Sequence, residues 1–140
     1  LAWAAHTNSI GPVPIVLYLA CIAWTLFYDT IYAYQDAEDD ALIGVKSTAR
    51  LFGEAARRWL RLFMTITIVL FGLAVVLAAS DRSMLSLVIA IGGPWALGWH
   101  LTWQLSRFDP EDTDGLLRIF RSNREAGLIP LPFFAIALMV

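Results

Sequence analysis

The residues best suited to chemistry lie in one stretch, Tyr28-Asp29-Thr30-Ile31-Tyr32-Ala33-Tyr34-Gln35-Asp36-Ala37-Glu38-Asp39-Asp40, which holds five of the twelve acidic residues. On a helix continuing to about residue 40, at about 100° per residue, Asp29, Tyr32, Asp36 and Asp40 share one face, with Asp39 beside it. Like charges four residues apart, here Asp36 and Asp40, destabilise an isolated helix. Beside an apolar segment the cost rises, because desolvated carboxylates resist ionisation. A hard divalent cation relieves it: Mg²⁺ takes oxygen ligands and bridges one or two carboxylates to substrate phosphates. A solvated acidic helix end is the other reading, and spacing alone leaves both open.

Immediately downstream comes Gly44-Val45-Lys46-Ser47-Thr48-Ala49-Arg50. If this segment is helical, Lys46 and Arg50 lie one turn apart and suit phosphate oxygens as a point charge and a planar fork. Ser47 or Thr48 suits a helix N-cap. The spaced glycines of a P-loop are missing. Basic residues anchoring a loop are the alternative, and it fits Arg50, Arg57, Arg58 and Arg61 better than Lys46.

These residues need elements to place them, and composition says what kind. Of 140 residues, 59% are hydrophobic and 16% charged, against about 25% charged in an ordinary soluble domain. The apolar residues gather in four segments, 12–30, 62–79, 84–105 and 126–140, which we read as membrane spans surrounded by lipid. Gly92, Gly93, Pro94 and Gly98 in the third predict a kink or close helix packing. The fourth covers only about 22 Å of a ~30 Å core.

Nine of the ten basic residues lie in the connections 31–61 and 106–125, and Arg82 alone lies in the short one. The positive-inside rule puts both long connections on the cytoplasmic face, or the equivalent face of an organelle membrane. Within the second, Leu116, Leu117 and Phe120 predict a short amphipathic helix at the interface. Asp109, Glu111, Asp112 and Asp114 read as a solvated loop. A net charge of −2 gives no reason to expect a nucleic-acid partner. Cys21 is a lone, small apolar side chain, and His100 reads as a hydrogen-bonded packing histidine. Asn123 is a candidate cap or substrate contact.

The run Tyr28 to Ala33, then Asp36 to Asp40, then Ile43-Gly44-Val45-Lys46-Ser47-Thr48-Ala49 and Leu51-Phe52-Gly53, resembles the second aspartate-rich motif of the UbiA-type prenyltransferases. Within that superfamily it is most similar to the polyprenyltransferases that act on 4-hydroxybenzoate in ubiquinone synthesis. The match is strong over residues 28–53, and Phe120, Asn123 and Gly127 extend it weakly. The resemblance implies an all-α integral-membrane bundle of about nine spans. Residues 1–140 would supply its last four spans, as the C-terminal part of one domain. A start at Leu1 and an end within an apolar run fit a piece of a longer protein.

The family relation also implies roles. Asp36 and Asp40 become the metal ligands of a DxxxD pair, with Asp39 close by and Asp29 and Tyr32 on the same wall. Lys46 becomes a diphosphate contact, and Tyr28, Tyr32 and Trp24 become candidate faces for an allylic cation. The implied cofactor is Mg²⁺, and the implied substrates are a polyprenyl diphosphate and an aromatic acid. The family's first motif, of the form NDxxDxxxD, and its YxxxK are missing, so these 140 residues alone are expected to be inactive. Related enzymes with other acceptors, such as another quinone precursor, haem or a chlorophyll-like ring, are the nearest alternatives. A membrane transporter passing ions along the acidic stripe and a non-catalytic scaffold lie further off.

Overall fold

A computed structural model of the chain describes residues 2–140, and the side chains of all of these but residues 2, 38, 39 and 41. Nine helices follow one another among them: α1 Ala2–Thr7, α2 Pro12–Ala33, α3 Ala37–Ile43, α4 Thr48–Phe52, α5 Ala56–Ala78, α6 Met84–Arg107, α7 Thr113–Arg121, α8 Asn123–Leu128 and α9 Leu131–Ala137, with one 3₁₀ turn at Gly53–Ala55. The architecture is all-α, as expected. Three stretches are long and apolar enough to cross a bilayer: Pro12–Ala33, Thr48–Ala78 and Met84–Arg107.

Local chemistry sets several boundaries. Pro12 and Pro14 suit the first turn of α2, where no intrahelical partner is lost. Ser83 caps α6 by accepting the Ser86 amide at 3.1 Å. α5 begins at Ala56, before the apolar run expected from residue 62, so Arg57, Arg58 and Arg61 stand on its first turns. Arginines there extend their stems over apolar surface and keep their charge in water.

The last apolar segment differs from a single continuous span. The chain keeps right-handed helical angles through Ile129 and Pro130, but Pro130 and Pro132 have no N–H to donate back along the helix. The run is therefore divided into α8 and α9. The glycines of α6 serve close packing. A Cβ on Gly98 would lie 2.9 Å from Ile68 of α5, and one on Gly93 would lie 3.0 Å from Phe134 of α9.

The main core lies toward one end, where Phe27 and Ile31 of α2 meet Leu60 and Phe63 of α5, Leu101 of α6, and Leu116 and Ile119 of α7. Both long connections gather at that end. Gln35 donates to the Thr113 carbonyl at 3.2 Å, and Tyr34 meets Phe108 edge to face at 5.3 Å. Leu19, Ile22, Val69, Leu73 and Val88 are exposed along the spanning helices, the surface a bilayer solvates.

Candidate functional site

The site begins with a stripe on α2. Trp24, Tyr28 and Tyr32 recur every fourth residue, so they stack along one face. That face meets the α7–α8 segment. The Trp24 indole N–H donates to Asn123 Oδ1 at 3.1 Å, and its ring lies 3.4 Å from where a Gly127 Cβ would be. Tyr28 and Tyr32 meet Phe120 with ring centroids 5.9 and 4.6 Å apart. Tyr28 is half-buried and donates to Thr25 Oγ1 at 3.3 Å, while Tyr32 is exposed. The Asn123 amide nitrogen donates to the Ile119 and Phe120 carbonyls at 3.3 and 3.0 Å. Asn123, a candidate substrate contact, is thus occupied as a clamp between α2 and α7.

The acidic stripe is not one helix. α2 ends at Ala33, where the Tyr34 and Gln35 amides bond back only three residues, to Ile31 and Tyr32. Asp36 then leaves helical angles, with φ −108° and ψ 13°, and occupies the N-cap position of α3 without a side-chain cap bond. Asp29 and Tyr32 therefore stay on α2, while Asp36 and Asp40 belong to a separate helical turn, where the Asp40 amide bonds the Asp36 carbonyl at 2.8 Å. Their one-turn spacing survives; the continuous face through Asp29 does not. The side chain of Asp39 lies outside the described residues.

Asp29 and Asp36 are exposed and Asp40 is half-buried. Arg118–Asp112 is the ion pair among the described residues, so no described cation pairs with these three carboxylates. No group of three or more His, Cys, Asp or Glu converges among the described residues. Asp36 and Asp40 thus offer two oxygen-donor side chains and no soft ligand. That donor set fits Mg²⁺, which uses one or two carboxylates and completes its shell with water and phosphate.

Beyond Asp40 the chain turns at Gly44, with φ 79°, and passes without regular structure through Lys46 to Ser47, which is extended. Lys46 and Arg50 are therefore not one turn apart on a helix. Lys46 is exposed in the linker, and Arg50 on α4 bonds the carbonyls of Asp40 (3.2 Å) and Val45. Arg50 holds the turn that carries Lys46. Ser47 occupies the N-cap of α4 without a side-chain cap bond, and its buried hydroxyl has no partner among the described residues.

Other residues hold this end together without a motif to announce them. The Tyr34 hydroxyl donates to the Gly53 carbonyl at 2.8 Å, and burial raises its pKa. Gln104, fully buried on α6, donates to the Ile119 carbonyl (3.3 Å) and Ser122 Oγ (2.7 Å). His100 meets the Ser122 carbonyl at 3.2 Å, the hydrogen-bonded packing role read from the sequence. A buried glutamine in an otherwise apolar span was the available signal for this junction.

Over 130 residues, 92% of the chain, it is 40% identical to the mitochondrial 4-hydroxybenzoate polyprenyltransferase of Rattus norvegicus and 39% identical to that of Homo sapiens, covering 33% of each. The Arabidopsis thaliana protein of the same name is 38% identical over the same share of the chain, covering 30% of its own length. The chain thus spans about a third of the length of these curated relatives. No solved structure matches it. Residues 1–123 match the model of the UbiA prenyltransferase family, and the chain belongs to that family.

Proposed function

We propose that this chain is the C-terminal part of a membrane enzyme that transfers a polyprenyl group from its diphosphate to an aromatic acid, 4-hydroxybenzoate in ubiquinone synthesis. The observation that carries the reading is the Asp36–Asp40 pair, one helical turn apart and without a described cation beside it. It stands just past a stripe of aromatic rings, in a chain similar to enzymes named for that reaction.

Asp36 and Asp40 would hold Mg²⁺ together with ligands from elsewhere in the protein. Once bound, the ion supplies Lewis-acid neutralisation of charge on a departing diphosphate. Lys46, on the linker braced by Arg50, adds a positive point charge for diphosphate oxygens. Tyr28, Tyr32 and Trp24 offer ring faces that favour an allylic cation, and the apolar helices around them keep water away from it. Bond formation to the acceptor ring ortho to its hydroxyl releases the ring proton and leaves the diphosphate as product. This end of the bundle would face the cytoplasm or matrix. Two carboxylates make an incomplete metal site, so residues 1–140 alone should not turn over.

In the full-length protein, Asp36→Ala or Asp40→Ala should lower prenyl transfer by about 100-fold or more, the scale of a lost charge-stabilising contact. Retention of most activity by either variant would remove their assigned role. Turnover by purified residues 1–140 would refute the incomplete site.

A further inference from the structure

A polar cavity of about 790 Å³ opens at the same end of the bundle, between the start of α5, the end of α6 and α7, and none of Trp24, Tyr28, Tyr32, Asp36, Asp40 and Lys46 lines it. Arg57, Arg107 and Arg118 face Asp109 and Asp112 there, a surplus of one positive charge. Both carboxylates are engaged locally. Asp112 accepts the Gly115 amide at 2.9 Å and pairs with Arg118 at 3.5 Å, and Asp109 accepts the Glu111 amide at 3.1 Å. Arg57 is anchored on the Leu105 and Phe108 carbonyls, with its guanidinium 5.6 Å from the Phe108 ring centre. Arg107 has neither an ion pair nor a side-chain hydrogen bond among the described residues.

An apolar track leads to this cavity. Trp95, Trp99 and Trp103 recur every fourth residue along α6 and are 69%, 73% and 43% exposed, and the next step in that series is Arg107. Trp103 also lines the cavity. At ~1.5 Å per residue, the track from Trp95 to Arg107 covers ~18 Å, close to the ~15 Å depth of one hydrocarbon leaflet. Tryptophan favours the membrane interface, and basic pockets between spanning helices take anionic lipid headgroups. A guanidinium fork fits a phosphate.

We propose that this cavity binds the headgroup of an anionic phospholipid, its phosphate on Arg107 and Arg118 and one acyl chain along Trp95, Trp99 and Trp103. The surplus charge matches one phosphodiester, and the tryptophan track explains why the ligand carries a chain.

The full-length protein in nanodiscs of equal phosphatidylglycerol and phosphatidylcholine, analysed by native mass spectrometry, tests this. The unaltered protein should retain phosphatidylglycerol about 30-fold over phosphatidylcholine, the scale of two basic side chains at a headgroup. Arg107→Gln with Arg118→Gln should bring that ratio close to one at unchanged helix content by circular dichroism. Trp99→Ala should weaken retention of the lipid. Glycerophosphate, which has the headgroup without chains, should compete poorly. No preference in the unaltered protein, as when another segment fills the cavity, would overturn the proposal without touching the Asp36–Asp40 reading. Displacement by equimolar glycerophosphate would also overturn it, by showing a site for free phosphate.

Discussion

Trp24 and Asn123 stand 99 positions apart and share a hydrogen bond of 3.1 Å, from the indole nitrogen to the amide oxygen. It joins the aromatic stripe of α2 to the junction of α7 and α8, so one contact aligns the two walls on which Tyr28, Tyr32 and Phe120 meet. Asn123→Ala should cost about 1–3 kcal/mol, because a partly buried N–H loses its acceptor. Adding Trp24→Phe should cost less than the sum of the two single changes. Unfolding in detergent measures the cycle, and strict additivity would show that the bond carries no coupling.

Gly98 admits Ile68 between α5 and α6, with 2.9 Å from a would-be Cβ to the Ile68 Cδ1 atom. A methyl at Gly98 meets only the far end of a side chain that can turn aside. Gly98→Leu, by contrast, should destabilise by about 1–3 kcal/mol through overpacking. Ile68→Ala in the same chain should recover part of that loss in melting temperature.

Gly44 ends α3 with φ 79°, and among the described residues nothing lies within 4 Å of the place a methyl group would occupy. Any penalty there comes from the backbone alone, about 1–2 kcal/mol for Gly44→Ala. Gly44→Asn should cost less, since asparagine tolerates this region. Because the turn carries Lys46, Gly44→Ala in the full-length enzyme should also raise KM for the prenyl diphosphate more than it lowers kcat.

Tyr34 couples this end of the bundle to alkaline pH. Burial holds its hydroxyl pKa above the ordinary value, which is about 10. The folded chain therefore keeps a proton that the unfolded chain releases, and stability falls with rising pH in that range. The contribution is whole below about pH 10 and is lost as pH climbs through the raised value. Tyr34→Phe should flatten this component of a plot of unfolding midpoint against pH; an unchanged slope would show that another group is responsible.

Removal of divalent cations from the full-length protein should stop prenyl transfer, and Mg²⁺ should restore it. Asp40→Asn should raise the Mg²⁺ concentration needed for half-maximal activity by about 10-fold or more, as a charged ligand becomes neutral. An unchanged requirement would take Asp40 out of the metal shell.

The spanning character of α2, α5 and α6 and the one-turn spacing of Asp36 and Asp40 were legible in the chain, because hydropathy and helical period act over neighbouring residues. The division at Pro130 was present as a signal too, in two prolines within an apolar run, but average hydropathy does not register a missing N–H. Other features depended on which hydrogen-bond partner each group reached. α2 stops at Ala33 and hands Asp36 to a new helix, Arg50 turns back to carbonyls instead of outward, and Asn123 spends its amide on Trp24. Each of these outcomes is a competition among hydrogen-bond partners, and which partner is within reach is settled only when the helices pack.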